Sequence, residues 1–219
     1  MSTAADAPSS LRPRLQPWLW TAFLALIMAV PLARGALTPP MPELPVLGTV
    51  PPFRLLDESG APFGPQQLAG RVWLANFIFT RCPSICPEMT GRLVRVQRQL
   101  GDGVDLVSVS VDPGYDTPAR MRAFAEQHHA LSPRWHFLTS DGTSTEDTVS
   151  RGFKIALTRG SADAMSITHG VHVVLVDGAG RIRGYYDSTD PDARERLVAD
   201  ARRLASSTLR GTPVSSARR

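Results

Sequence analysis

Val72-Trp73-Leu74-Ala75-Asn76-Phe77-Ile78-Phe79-Thr80-Arg81-Cys82-Pro83-Ser84-Ile85-Cys86-Pro87-Glu88-Met89-Thr90 decides the fold. The apolar run Val72 to Phe79 is short and bulky and stops at Thr80 and Arg81, which reads as a buried strand rather than a helix. After Pro87 the apolar positions change spacing to Met89, Leu93, Val96 and Leu100, one face of a helix. Cys82 and Cys86 are the chain's only cysteines, and a proline follows each. Both thiols therefore fall where a buried strand turns into a helix. Open α/β sheets bind ligands at that end of their strands.

The spacing limits the chemistry. Helical residues four apart have Cβ atoms about 5–6 Å apart on one face, so two such thiols can meet one soft metal ion or each other. The partial positive charge of a helix start favours thiolate, the form that binds metal and attacks disulfides. A sulfur pair suits Cu(I) or Zn. The plainer alternatives are a structural disulfide or two inert core thiols. A disulfide here would close only a tiny loop and stabilise little.

Working outward, the 219 residues suffice for one ordinary domain plus extras, and the apolar and charged fractions of 42% and 20% are those of a globular protein. Net charge is +4 and the pI about 9.7. Lys154 is the single lysine, and the arginines are spread along the chain without forming a stripe interleaved with aromatics. That excludes a nucleic-acid patch of the usual kind.

Residues 1–17 are small and polar and read as a cytoplasmic N-terminus. Trp18 to Ala33 carry no charge, and residues 18–36 read as a transmembrane anchor or signal segment. Arginines before the run predict the N-terminus inside and the rest exported. Arg34 interrupts the obvious cleavage site, which favours an uncleaved anchor. Residues 37–52, rich in proline, read as an extended linker. A domain over 53–205 follows, then a disordered tail over 206–219.

Within the domain, Asp57 to Gly60 marks a turn in a small hairpin, and Val104 to Val111 reads as a second buried strand. Thr117 and Pro118 start a helix as N-cap and first residue, with Met121, Phe124 and Ala125 on its buried face. His128 and His129, at its polar end, read as solvated. Trp135 to Leu138 is a third strand, Asp141 to Ser150 a short helix, Phe153 to Leu157 a strand, and Thr158 to Ser166 a polar loop. Val171 to Val176 and Arg181 to Tyr186 form a hairpin around Asp177 to Gly180. Asp190 and Pro191 cap a last helix with Leu197, Ala201 and Leu204 on one face. This order predicts an α/β, thioredoxin-like domain with a central mixed sheet flanked by helices, preceded by the anchor helix. Its first βαβ unit is parallel.

In that layout the loop before the Val171 strand lies beside the dithiol loop, and it carries His169. An imidazole there would complete a site of two sulfurs and one nitrogen, a donor set that suits copper. A lone histidine taken by itself is more often structural. His172, inside the apolar run, reads as a core histidine, and Met89 as core packing. Asp112 and Asp116 read either as groups that orient the site from behind or as turn and cap residues.

Phe79-Thr80-Arg81-Cys82-Pro83-Ser84-Ile85-Cys86-Pro87 resembles the signature of the Sco/SenC family of copper chaperones. Ser110 to Pro113 with Asp116 to Pro118, Trp135 to Leu138, and Thr168-His169 before an apolar strand resemble its further blocks, in order. The resemblance spans roughly residues 50 to 205. It implies a membrane-tethered thioredoxin fold that binds a copper ion, Cu(I) or Cu(II), through Cys82, Cys86 and His169. It also implies a role in assembling the dinuclear copper centre of cytochrome c oxidase subunit II, by delivering copper or by keeping the receiving cysteines reduced. The implied partners are that subunit or another exported copper protein, a copper donor, and the bacterial inner membrane, with the domain facing the periplasm. Two departures are visible. Arg81 stands where many members have histidine or asparagine, and Thr168 where many have aspartate.

Two function classes compete. A metallochaperone has no turnover. A thiol-disulfide oxidoreductase would use Cys82 and Cys86 as a redox disulfide, with Cys82 attacking. Against the enzyme, three residues separate the cysteines, and no proline precedes the Val171 strand. A peroxidase role has only Arg81 as a hint.

Overall fold

The computed structural model describes residues 18, 20, 21, 23–29, 43–130, 133–140, 153 and 171–211, with side chains in the last helix through residue 207. The chain divides into two units, residues 1–43 and 44–219. In the first, Trp18, Trp20, Thr21 and residues 23–29 are helical. Trp20 meets Phe23 edge to face, and the helix exposes Leu24, Leu26, Ile27 and Met28. Among the described residues no helix is long and apolar enough to cross a membrane. The rest of the expected anchor over 18–36 lies outside the described residues.

The second unit is built on a six-stranded mixed sheet. Its strands are β1 (Gly48–Thr49), β4 (Val72–Ile78), β5 (Val104–Ser110), β6 (Trp135–Leu138), β7 (His172–Val176) and β8 (Arg181–Asp187), in the spatial order β1-β8-β7-β4-β5-β6. The hairpin strands β2 (Leu55–Leu56) and β3 (Pro62–Phe63) pair separately. The helices are α1 (Ile85–Leu100), α2 (Pro118–Gln127) and α3 (Pro191–Gly211). The mixed sheet with helices packed on it is the arrangement the element order predicts.

β4 and β5 are buried along their whole length and pair in parallel, Val72 opposite Val104 through Ile78 opposite Ser110. That is why both read as near-continuous apolar runs. β7 lies antiparallel on the other side of β4, Ala75 opposite Val174 and Trp73 opposite Val176. β7 therefore begins at the end of the sheet where β4 stops. α1 buries Cys86, Met89, Leu93, Val96 and Leu100, confirming the helical spacing, and ends where Gly101 takes φ of 59°, a conformation that favours glycine. α1 and α3 pack against each other, α3 also rests on β4, β5 and β8, and α2 packs on β6. Thr117 caps α2 by accepting from the Arg120 N–H.

The sheet starts earlier than Phe53, where the sequence places the start of the domain. Gly48 and Thr49 pair with Ile182 and Arg181, inside the stretch read as linker. Leu47 donates to the Ile182 carbonyl and Val50 to that of Gly180, both at 2.9 Å. Prolines on either side forbid a helix but not a two-residue edge strand. The short helix expected over 141–150, the strand over 153–157 apart from Phe153, and the loop over 158–166 lie outside the described residues. Phe153 is buried against Trp73 and Phe77.

Candidate metal and thiol site

β4 ends at Ile78, and the chain then makes a tight turn in which the Cys82 N–H donates to the Phe79 carbonyl at 3.1 Å. Pro83 and Ser84 stay exposed and α1 starts at Ile85, so Cys82 sits in the turn and Cys86 in the first turn of the helix. The Cys86 N–H donates to the Cys82 sulfur at 3.4 Å. Both thiols are free and buried, Cys82 with 6% of its surface exposed and Cys86 with none. One helix-start N–H is thus spent on the other cysteine's sulfur. The arrangement supports a disulfide between the two or the capture of one soft ion.

Helix-start polarity alone would favour thiolate at both positions. At Cys86 burial outweighs it and pushes the thiol pKa up, against a hydrogen bond from the Phe79 backbone. Cys82 is the less buried of the two residues.

Asp116 and Asp112 stand at the base of the same loop. The buried Asp116 carboxylate accepts from the Thr80 N–H at 3.2 Å, the Thr80 hydroxyl at 2.5 Å and the Ser110 hydroxyl at 2.6 Å. It therefore ties the cysteine turn to the end of β5. Burial pushes its pKa up, against the hydrogen bonds from Ser110 and Thr80. Asp112 accepts from Arg81 Nε at 2.6 Å, and its own N–H donates to the Ser110 hydroxyl at 3.0 Å. Asp112 thus pins the residue directly before Cys82. Both aspartates do more than cap turns.

His169 and Thr168 lie outside the described residues. Among the described residues no group of three histidine, cysteine or acidic side chains could hold a metal. His172 corrects the sequence expectation. It is exposed at the first position of β7, opposite Asp187, and is no core histidine. Asp187 is held below the usual carboxylate range by the Thr189 hydroxyl and N–H, with His172 adding to the effect. Strand periodicity cannot tell the open end of a buried strand from its middle. Met89 is core packing, as expected. His129 is exposed, whereas His128 is half-buried against the Phe124 ring at 4.4 Å, and burial lowers its pKa.

The sequence reading missed Thr80 and Ser110 as partners of Asp116. The signal for Ser110 is a serine in an otherwise buried, largely apolar strand, since a buried hydroxyl needs a partner. Ser108 repeats it: Trp135 donates to its hydroxyl at 2.9 Å, and Ser108 donates to Asn76 at 2.8 Å.

The SCO1/SenC family model matches residues 45–206. This chain belongs to the SCO1/SenC family. The match takes in the cysteine turn, both aspartates and the strand after His169. The SCO1 protein homolog of Bacillus subtilis is 30% identical over 165 residues, covering 74% of this chain and 84% of the relative. The structure of BsSco is described as that of a Sco-family cytochrome c oxidase assembly protein with a disulfide switch. It aligns with a TM-score of 0.67 at 27% identity, over 76% of this chain and 99% of that one. Bradyrhizobium japonicum ScoI, solved with copper bound, aligns with a TM-score of 0.60 at 25% identity, over 71% and 99%. The mixed sheet of this SCO1/SenC chain is therefore that of solved Sco proteins.

Proposed function

We propose that this chain is a copper-binding metallochaperone that assists assembly of the dinuclear copper centre of cytochrome c oxidase subunit II. Cys82, Cys86 and His169 hold the copper ion, which is the cargo and passes on to the target. The carrying observation is the pair of free, adjacent sulfurs at the head of α1, inside a SCO1/SenC match. Copper bound to ScoI of Bradyrhizobium japonicum supports the same reading. His169 precedes Val171 by two residues, and Val171 enters β7 at the end of the sheet where β4 leaves toward Cys82. Soft sulfur with one imidazole fits copper, Cu(I) above all. The helical residues 18, 20, 21 and 23–29 belong to an anchor over 18–36 that holds the domain on the periplasmic face of a bacterial inner membrane. The copper donor and the target protein share that compartment.

A second reading is a thiol-disulfide oxidoreductase that keeps a copper protein's cysteines reduced. Two free thiols one turn apart favour it, as does the disulfide switch of BsSco. Copper titration of the purified full chain separates the two. The chaperone reading expects one copper per chain, lost in Cys82→Ser, Cys86→Ser and His169→Ala. A His169→Ala chain that holds copper as well as the parent overturns the three-ligand site. Disulfide reduction that survives His169→Ala and stops on copper loading favours the oxidoreductase.

A further inference from the structure

Beside Cys82 lies a group of side chains that neither reading uses. Tyr115, 36% exposed, belongs to the loop that follows β5. The Arg120 guanidinium lies over its ring at 4.0 Å from the ring centre, and the Arg81 guanidinium at 4.9 Å. Arg120 also donates to the Tyr115 carbonyl at 2.6 Å, so its position over the ring is fixed. Arg81 is paired with Asp112, but Arg120 is exposed and has no carboxylate partner among the described residues. With one N–H given to the Tyr115 carbonyl, the Arg120 guanidinium still has its Nε and second terminal nitrogen to offer, the edge that grips a carboxylate with two hydrogen bonds. Ile85, 39% exposed, opens α1 three residues after Cys82.

We propose that Arg81, Tyr115 and Arg120 form a docking platform for carboxylates of a protein partner, and that it selects acidic partners for chemistry at Cys82. The argument is charge complementarity. Of the two guanidiniums over the ring, that of Arg120 has no carboxylate partner among the described residues, and Arg81 is covalently next to the reactive sulfur. The same stack could instead merely order the loop, and that alternative predicts no dependence on the partner's charge. The platform rests on the dithiol at Cys82 being reactive, so its test carries a separate control for that.

The probe reaction is thiol-disulfide exchange by the reduced full chain. The Cys82 thiolate attacks a disulfide R–S–S–R, forming Cys82–S–S–R and releasing RS⁻. Cys86 then attacks the Cys82 sulfur, closing the internal disulfide and releasing the second RS⁻. The dithiol loses two electrons and the probe gains them. Oxidised glutathione is the anionic probe, hydroxyethyl disulfide the neutral one and cystamine the cationic one. The ratio of the glutathione to the hydroxyethyl disulfide rate should fall about two- to fivefold in Arg120→Gln, the scale of one exposed ion pair. It should recover in part in Arg120→Lys, and the parent's ratio should fall with added salt. The cystamine rate should hold or rise in Arg120→Gln. Equal changes with all three probes, or no change, overturn the platform and leave the stack a structural feature. A parent chain inert to hydroxyethyl disulfide overturns the reactive dithiol itself, and the platform with it.

Discussion

The backbone N–H of Cys86 points at the sulfur of Cys82, 3.4 Å away. This one contact makes the two cysteines inequivalent. Cys82 gains a hydrogen bond to its sulfur and has 6% of its surface exposed, while Cys86 is fully buried and its thiol pKa is pushed up by burial.

Alkylation should follow that asymmetry. Iodoacetamide on the folded, reduced chain is expected to label Cys82 first, with Cys86 labelled only after denaturant is added. Peptide mass spectrometry over a time course reads the order. Labelling of Cys86 first would reverse the assignment of attacking and resolving thiol.

Asp116 should act as the tie of the cysteine turn. Asp116→Ala strands the Thr80 N–H and two hydroxyls, at a cost of about 1–3 kcal/mol for each group left buried and unpaired. Asp116→Asn keeps the shape and loses the titration. Because burial raises the carboxyl pKa, the folded state holds its proton more tightly than the unfolded chain. The associated stability is fully present below the usual carboxylate value of about 4 and is lost as pH rises through the raised value. Melting temperature against pH should therefore decline over that window in the parent and run flatter in Asp116→Asn. Parallel curves would show that Asp116 carries its charge in the fold without this cost.

Arg183 should hold the first strand. It is buried, donates to Asp177 at 2.9 Å and reaches the carbonyl of Leu44. Arg183→Ala leaves Asp177 buried with only Arg181 beside it, and breaking such a pair costs about 3–5 kcal/mol. The Leu47 and Val50 amides, now bonded to the Ile182 and Gly180 carbonyls, should then exchange faster with deuterium than amides of β4 and β5. Burial raises the Asp177 pKa, but the hydrogen bonds from Arg181 and Arg183 outweigh it and the carboxyl lies below its usual value. That stability is present above about pH 4 and is lost as pH falls through the lowered value. An unchanged acid limb of the melting curve in Arg183→Ala would contradict this.

What the sequence discloses and what it hides divide along physical lines. β4, β5 and α1 are legible because a strand buried on both faces must be apolar throughout and a half-buried helix must repeat at its own period. The placement of Cys82 and Cys86 between them follows. β1 is hidden because two residues among prolines have no period, and a guanidinium from 139 residues away secures the segment before it. The tie made by Asp116 is hidden because its partners, Thr80 and Ser110, belong to other elements. His172 misleads because an apolar run says nothing about which of its ends is open. The cysteine half of the site is thus readable from local pattern. His169, the other half of the proposed site, lies outside the described residues.

Copper-edge X-ray absorption on the copper-loaded full chain, parent against His169→Ala, tests the central claim most directly. The account predicts two sulfur neighbours and one imidazole nitrogen at copper in the parent. It predicts loss of the nitrogen with both sulfurs retained in whatever copper His169→Ala still binds. A parent spectrum with fewer than two sulfurs, or an imidazole signal unchanged by His169→Ala, would contradict it.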